Sequence, residues 1–334
     1  MCRIHNITGN IYHLSAALLL IFISLSILSC TRQPDKKKYL IGVINLNPRL
    51  SSVVEGFKEG MAENGYVEGK NVTYMHLKGP ENIDTILRDL KAGKADLILA
   101  VSTPAMKKAQ NAVRGTGIPI VGISFDPVRG GIVDSLVYKE ENTTGIKVGE
   151  SVQKALEWLL LIAPDTKRVF VPVKFDTEAA QLSLADLKDV AAKLNVDLLV
   201  SNVEGPDDLQ AALSSIPEDV DAIFVLHSLL IVSNLDTVLE TAVKRKLPTA
   251  SGSGLYKYGV TVSYGQDHRH TGKQAGELAH KVLQGHPAAS LPFKTADLFL
   301  GINLDNAKKI GLKIPEYILK QAEFIIPAGA ANKN

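Results

Sequence analysis

The chain has 334 residues, with 37 lysines and arginines against 35 aspartates and glutamates, and its formal net charge is +2. This near-neutral balance, without a block of like charges, argues against nucleic-acid binding, which usually needs a concentrated basic surface. The only cysteines are Cys2 and Cys30, so the chain beyond residue 30 contains no thiol and no disulfide. A body of about 300 residues buries enough apolar surface to fold without cross-links, and its length indicates two lobes.

The first 30 residues have the pattern of a secretory signal. A polar start that includes Arg3 precedes an apolar run over residues 14–28, which only serines interrupt. This run is shorter than the roughly 20 apolar residues that a membrane-spanning helix needs. Residues 27–30 resemble a bacterial lipobox, and the resemblance implies that Cys30 becomes the lipidated N-terminus. An ordinary signal peptide and an uncleaved anchor are the alternatives.

These features divide the start of the chain into two segments. Residues 1–29 are predicted to be a lipoprotein signal peptide, and residues 30–38 a polar tether with three consecutive lysines. The lysines either lie near anionic lipid head groups or belong to a solvated linker. Thr31 after the cysteine favours the outer membrane, if the cell has one, by resemblance to the sorting rule of such lipoproteins.

Beyond residue 38, short β-branched runs alternate with helical patterns. The first half is predicted to contain strands over residues 39–46, 71–77, 96–101 and 118–123. Helical patterns follow the first three strands; one begins at the capping-box sequence Ser52-x-x-Glu55, and another begins at Ser102-Thr103-Pro104. Such alternation predicts a parallel sheet with helices on both faces.

The same alternation starts again after residue 167. Strands are predicted over residues 168–173, 196–200, 221–226, 247–250, 260–264 and 298–302, and helices over residues 177–194, 207–215, 231–244, 267–284 and 303–310. Residues 96–103 align with residues 221–228, since each stretch has an acid, five apolar residues and two polar residues before a helix. The chain is therefore predicted to be an α/β protein with two Rossmann-like lobes, each a parallel sheet flanked by helices.

Polar residues follow the carboxyl ends of the predicted strands, where open parallel sheets bind their ligands. The candidates are Asn45, Ser102, Thr103 and Asp126 in the first lobe and Phe175, Asp176, His227, Ser228 and Ser253 in the second. Ser102 and Thr103 start a helix, where free N–H groups suit a carboxylate; plain helix capping is the alternative. Asp126 precedes a proline, so it either forms a turn or pairs with a ligand ammonium group. His227 either donates to a ligand or satisfies a backbone group.

Sequence motifs of catalysis are missing. The chain has no P-loop, no G-x-S-x-G elbow, no H-E-x-x-H and no G-x-G-x-x-G, and its body offers no cysteine nucleophile. His268 and His270 are two residues apart at a helix start and therefore point in different directions, which disfavours a metal site. We therefore expect a protein that is not an enzyme and that uses no cofactor and no metal.

From about residue 39 to residue 326, the chain resembles the ABC-transporter substrate-binding family that includes tryptophan- and tyrosine-binding lipoproteins. The most specific stretch is Ser263-Tyr264-Gly265-Gln266-Asp267, and further family-like stretches are residues 126–128, 131–133, 142–145 and 302–311. The resemblance implies the periplasmic-binding-protein type I fold, in which a three-strand hinge joins the lobes. The chain would cross between the lobes near Gly145, Gly265 and Lys294.

These crossings imply that both lobes are assembled from separate parts of the chain. The N-terminal lobe would comprise residues 39–145 with 265–293, and the C-terminal lobe residues 146–264 with 294–327. Residues 328–334 are expected to be a frayed tail.

The function that the resemblance implies is capture of a small polar ligand in the cleft between the lobes, followed by hinge closure and delivery to an ABC permease and its ATPase. The protein would work as a monomer in the periplasm or at the cell surface, held to the membrane by its lipid alone. A sensor of the same fold, feeding a membrane signalling protein, is the alternative.

The resemblance carries over to the site unequally. Ser102, Thr103 and Asp126 match as ligand contacts, with Asn45 behind them. An amino acid would place its carboxylate at the helix start and its ammonium group near Asp126. The second lobe departs from the family pattern at residues 173–176, 227–228 and 251–254, so the resemblance leaves the identity of the ligand open.

Overall fold

A computed structural model describes residues 37–78, 88, 92, 95–137, 142–175, 178–226 and 228–329. The predicted signal peptide with Cys30, most of the tether and the end of the predicted tail lie outside the described residues. So do two candidate site residues, Asp176 and His227.

Two sheets organise the described chain. The strands of the first sheet are β1 (Tyr39–Asn45), β2 (Val72–Lys78), β3 (Leu97–Val101), β4 (Ile120–Ser124), β5 (Thr143–Lys147) and β11 (Lys294–Thr295). Those of the second sheet are β6 (Arg168–Val173), β7 (Asp197–Asn202), β8 (Ala222–Phe224), β9 (Thr249–Ser251), β10 (Val262–Gln266), β12 (Leu298–Asn303) and β13 (Phe324–Ile326). The strand orders are β11-β5-β4-β3-β1-β2 and β13-β12-β10-β9-β8-β6-β7. The two predicted lobes are thus two sheets.

Helices cover both faces of each sheet. The first sheet carries α1 (Ser51–Glu63), α2 (Thr103–Val113) and α8 (His268–Leu283). The second carries α3 (Val152–Ile162), α4 (Glu178–Lys193), α5 (Pro206–Ser214), α6 (Leu229–Ser233), α7 (Leu235–Arg245), α9 (Leu304–Lys309) and α10 (Glu316–Leu319). Among the described helices, none has the length and apolar character to span a bilayer.

The burial pattern of β1 explains how one strand holds helices on both faces. Ile41 and Val43 pack with α1 and α8 in one apolar cluster, and Ile44 packs with α2 in another. In the second lobe, α3 and α4 pack on one face, and α5 and α7 on the other. Successive strand residues point to opposite faces, so a strand that is buried on both must be apolar almost throughout.

The chain passes between the two sheets three times, after β5, β10 and β11. The passages follow Lys147, Gln266 and Thr295, which are one or two residues after Gly145, Gly265 and Lys294, near which the crossings were expected. Gly145 itself lies inside β5. An added Cβ at Gly145 would overlap the backbone of the neighbouring strand, so the residue is a glycine because two strands approach closely there.

The second sheet was predicted to be parallel, but it contains one antiparallel pair, formed by β12 and β10. The position of the third passage explains this direction. The strand β12 enters the second lobe from the first, so it begins at the junction between the lobes and runs away from it. The strand β10 runs towards the junction and leaves there, into α8.

Two helix predictions were wrong in detail. Ser52 and Glu55 do not form a capping box, because α1 begins one residue earlier and follows a 3₁₀ turn without a side-chain cap. The predicted helix over residues 231–244 is two helices, α6 and α7, which meet at Asn234. The side chain of Asn234 donates to the carbonyl oxygen of Leu230 at 2.8 Å and so ends α6.

The helices α1 and α8 touch backbone to backbone. Each has two glycines four residues apart, Gly56 and Gly60 in α1 and Gly272 and Gly276 in α8. An added Cβ at Gly60 would lie 2.7 Å from the carbonyl oxygen of Lys273, and one at Gly56 would overlap that of Arg269. These glycines therefore set the distance between the two helices, and α8 is held against α1 over much of its length.

Gly56→Ala tests this contact. Helix propensity alone predicts that alanine stabilises a helix interior by about 1 kcal/mol relative to glycine. The overlap predicts the opposite, a loss of about 1–3 kcal/mol of unfolding free energy, which urea titration measures. Gly205→Ala, where an added Cβ meets nothing within 4 Å, should cost about 1 kcal/mol or less. A Gly56→Ala protein that is as stable as wild type would contradict the close packing.

Candidate functional site

The carboxyl ends of both sheets face the junction between the lobes. In the first lobe, β1 to β5 are parallel, and β5 passes from its carboxyl end directly into the second lobe. In the second lobe, β10 is parallel to β9 and passes from its carboxyl end into α8. Loops that follow the strands of either sheet therefore meet at this junction, where open α/β sheets bind their ligands.

The carboxyl ends of β3, β4 and β5 form one row. The backbone N–H of Ser102 donates to the carbonyl oxygen of Ile123 at 3.0 Å, and Ser124 pairs in register with Lys147. The hydroxyl oxygens of Thr103 and Ser124 are 2.7 Å apart. Neighbouring strands are about 4.8 Å apart, so these polar side chains occupy one small surface.

Ser102 has an unusual backbone for a residue other than glycine. Its φ is 110°, and its side chain accepts a long hydrogen bond of 3.4 Å from the N–H of Ala105. Backbone strain of this kind persists where the surrounding structure enforces it, and it concentrates at ligand-binding sites. Ser102 is thus the N-cap of α2, as predicted, and its strained geometry also agrees with a place in a ligand site.

The two carboxylate oxygens of Asp126 have different partners. Its Oδ1 accepts hydrogen bonds from the N–H groups of Val128 and Arg129, each at 3.1 Å, which is the turn-forming role. Its Oδ2 lies 3.7 Å from Nζ of Lys147. Burial alone would raise the pKa of Asp126, but the N–H of Arg129 and the charge of Lys147 hold it below its usual range. The side chain is therefore a carboxylate at neutral pH.

Asn45 lies at the carboxyl end of β1, beside Val101. Its side-chain oxygen accepts a hydrogen bond from the N–H of Asn47 at 3.1 Å, which shapes the turn before α1. The structure therefore brings all four first-lobe candidates to the carboxyl edge of one sheet.

The candidates of the second lobe have different surroundings. Phe175 follows β6 and is 42% exposed. Ser228 is buried and caps α6 by accepting the N–H of Ile231 at 3.3 Å. Ser253 is buried and donates to Oε1 of Glu150 at 2.9 Å. Ser228 and Ser253 thus have partners within the protein.

Sequence reasoning missed three polar residues at this junction: Ser124, Lys147 and Glu150. Lys147 and Glu150 line a cavity of about 170 Å³ between the first and third passages, together with Thr295 and Ala296. The local signal was weak because β5 has only five residues and a central glycine, so its end could not be recognised. The signal that could have identified Lys147 and Glu150 is their position just after Gly145, where a crossing between the lobes was expected.

A larger cavity lies elsewhere in the first lobe. Its volume is about 470 Å³, and its lining includes Lys107, Arg114, Ile120 and Thr143. Ile120 and Thr143 are the first residues of β4 and β5, so this cavity opens at the amino ends of the strands, away from the junction. Within the described ranges, no cluster of three or more His, Cys, Asp or Glu side chains could hold a metal ion.

The second passage carries its own set of polar contacts. Asp267 caps α8 by accepting the N–H of His270 at 2.9 Å, and its other oxygen lies 3.1 Å from Nζ of Lys257 in the second lobe. His270 in turn lies 2.9 Å from Asp297 in the third passage. These contacts tie the start of α8 to the second lobe and to the neighbouring passage.

Two α/β lobes, joined by three passages and facing each other with polar strand ends, define a two-lobed solute-binding protein. Residues 41–326 match the profile of a family described as ABC transporter substrate binding protein. The chain belongs to this family, and its fold is that of type I periplasmic binding proteins. The predicted family and fold class are therefore confirmed, and so is the expectation of a binding protein rather than an enzyme.

Individual relatives agree with this assignment. A tyrosine-binding protein of Clostridioides difficile (strain R20291) is 29% identical over 286 residues, which are 84% of this chain and 83% of the relative. The ligand-free, open structure of a substrate binding protein with adhesive properties from Clostridium difficile is 26% identical, with a TM-score of 0.75, over 87% of this chain and 99% of that one. An ABC domain from Streptococcus pneumonia, in complex with L-Trp, has 24% identity and a TM-score of 0.72 over 87% and 100% of the two chains.

The contacts of Asp267 predict a pH-dependent stability difference for Asp267→Asn. Burial alone would raise the pKa of Asp267, but the N–H of His270 and the charge of Lys257 lower it. A carboxyl with a lowered folded pKa stabilises the protein above its unfolded pKa of about 3.9, and this stabilisation is lost as the pH falls through the folded pKa. Asp267→Asn should therefore cost about 1 kcal/mol at pH 7 and progressively less below pH 4.

Urea unfolding of both proteins from pH 7 to pH 3 measures this difference. Asp219→Asn is the control, since Asp219 forms its ion pair with Arg168 at an exposed position and should contribute little at any pH. A cost of Asp267→Asn that stays constant across the range would show that the charge of Asp267 does not matter.

Proposed function

We propose that the protein captures an amino acid or a related small polar compound in the cleft between its lobes and delivers it to an ABC importer. The observation that carries this proposal is the row at the carboxyl ends of β3, β4 and β5. There the start of α2 offers the positive end of its helix dipole with the hydroxyls of Ser102 and Thr103, and Asp126 offers a carboxylate beside them. A carboxylate and an ammonium group on one ligand match these two features.

The relatives support the same ligand class. The tyrosine-binding protein of Clostridioides difficile covers 84% of this chain, and its ligand has both charged groups. Phe175 would complement a side chain with apolar surface, since it is exposed at the carboxyl end of β6. With Asp176, His227, Ser228 and Ser253, it forms the proposed second-lobe half of the site.

Closure of the lobes is the proposed mechanism of delivery. The moving units would be residues 39–147 with 267–295 and residues 148–266 with 296–327, joined by the three passages. A ligand that contacts both lobes favours the closed state only by as much as it binds that state better than the open one. The permease and its ATPase would then recognise the closed form.

We propose that the protein captures its ligand outside the cytoplasm. Substrate-binding proteins of ABC transporters receive their ligands there, and the first 30 residues have a signal pattern that ends in Cys30. We propose a monomer in the periplasm or at the cell surface, held to the membrane through a lipid on Cys30.

A melting-temperature screen tests the ligand class. Tyr39–Asn334 forms a compact unit of its own, so the protein without its first 37 residues is suitable. A true ligand at 100 times its Kd should add about 2.7 kcal/mol of unfolding free energy. We expect a hit among amino acids, and none among neutral sugars or nucleosides. Ser102→Ala should weaken the hit about tenfold, whereas Ser214→Ala, on an exposed helix surface, should not. A hit among sugars alone would refute the proposed class.

Replacement of Cys30 tests the anchor. If Cys30 carries the lipid, the Cys30→Ser protein should leave the membrane fraction and appear in the soluble extracytoplasmic fraction, because a serine cannot carry the thioether-linked lipid. Cys2→Ser should leave the protein in the membrane fraction. An immunoblot of both fractions reports the outcome, and a Cys30→Ser protein that stays membrane-bound would exclude a lipid anchor at this residue.

A further inference from the structure

Lys147 is a cation at the end of β5, where the first passage begins. Its side chain is 37% exposed and lines the cavity between the first and third passages. It pairs in register with Ser124, whose hydroxyl contacts that of Thr103. Lys147 therefore belongs to the same row as the start of α2, although it lies more than 40 residues further along the chain.

Among the described lysines that pair with a carboxylate, Lys147 is the one without a closer contact than 3.7 Å. Its Nζ lies 3.7 Å from Oδ2 of Asp126, whereas the Lys154–Glu157 and Lys294–Glu277 pairs have distances of 2.7 and 3.2 Å. A distance of 3.7 Å is longer than a hydrogen bond. Among the described residues, no other carboxylate lies within 4.0 Å of this ammonium group, which has three N–H donors. Lys147 thus keeps donors for a further partner.

Asp126 also keeps one oxygen for a further partner. Its Oδ1 is occupied by the N–H groups of Val128 and Arg129, which fix the carboxylate in place. Its Oδ2 faces Lys147 without a hydrogen bond to it. The result is a fixed negative charge and a neighbouring positive charge, loosely paired and both partly exposed at the junction of the lobes.

We propose that Lys147 and Asp126 together recognise the two charged groups of an α-amino acid. Lys147 donates to the carboxylate, and Oδ2 of Asp126 accepts from the ammonium group. An α-amino acid has its ammonium and carboxylate groups on the same carbon atom, so it can lie across the pair with each charge against its opposite. This inference rests on the proposed function and deepens it, because it makes Lys147 the residue that requires a carboxylate on the ligand.

The weak ion pair also avoids an isolated charge at the junction while no ligand is bound. While no ligand is bound, Lys147 and Asp126 partly neutralise each other, so neither is left alone at a half-buried position. A zwitterion exchanges this weak contact for two closer ones. A neutral sugar, or an amine without a carboxylate, cannot satisfy both residues. The pair therefore selects against such ligands, because they leave at least one charged residue without a partner.

Lys147→Met tests the assignment through the ratio of two affinities. The probes are the amino acid that raises the melting temperature most and its carboxamide, which keeps the ammonium group but lacks the carboxylate charge. Wild type should prefer the acid over the amide, and Lys147→Met should bind the acid about 10- to 100-fold more weakly with that preference lost. Isothermal titration calorimetry measures both dissociation constants, and Lys147→Arg should recover most of the preference.

Lys294→Met is the matched control, since Lys294 has the same 37% exposure and lies on the adjacent strand β11, but its partner Glu277 is on α8. It should change neither affinity. An unchanged acid-to-amide ratio in a folded Lys147→Met protein would overturn the role of Lys147 and leave the amino-acid proposal intact. A different result is that wild type binds no amino acid but a carboxylate that lacks an ammonium group, and that Lys147→Met loses this binding. That result would refute the proposed ligand class and retain Lys147 as the residue that binds the carboxylate. Binding of neutral ligands alone would overturn both.

Discussion

Every connection between the two lobes leaves a strand at its carboxyl end, and most of the structure follows from this constraint. It turns the carboxyl edges of both sheets towards the same junction, so polar residues that follow separate strands become neighbours. It also explains why β12 runs against β10, since a strand that starts at the junction must run away from it. The position of the candidate site therefore follows from the order in which the chain connects the two sheets, and the individual loops supply its side chains.

The glycine contact between α1 and α8 holds these two helices of the first lobe firmly together. The helix α8 starts directly at the second passage, where Asp267 caps it, and it lies against α1, which follows the strand end that carries Asn45. Since the two helices are in close backbone contact, we expect α8 to stay with the first lobe. A movement between the lobes would then take place in the short passages.

The alternation of strands and helices was predictable because strands buried on both faces must be apolar and helix starts carry recognisable caps, as at Ser102. The first-lobe candidates could be named for the same reason, since they directly follow such strands. Lys147 could not, because the register that places it beside Ser124 depends on a short, glycine-interrupted strand without an apolar run. Nor could the partner of Ser253 be foreseen, since Glu150 is 103 residues away in the chain.

The distribution of the core over the chain has a consequence for biosynthesis. The apolar cluster that covers one face of the first sheet needs Ala275, Leu278 and Ala288, although the strands of that sheet, except β11, are complete by Lys147. The lobe that begins first is therefore among the last parts to close during synthesis. A chain cut before residue 267 would expose the apolar faces of β1 and α1 to water, and such a fragment is a natural substrate for chaperones and proteases.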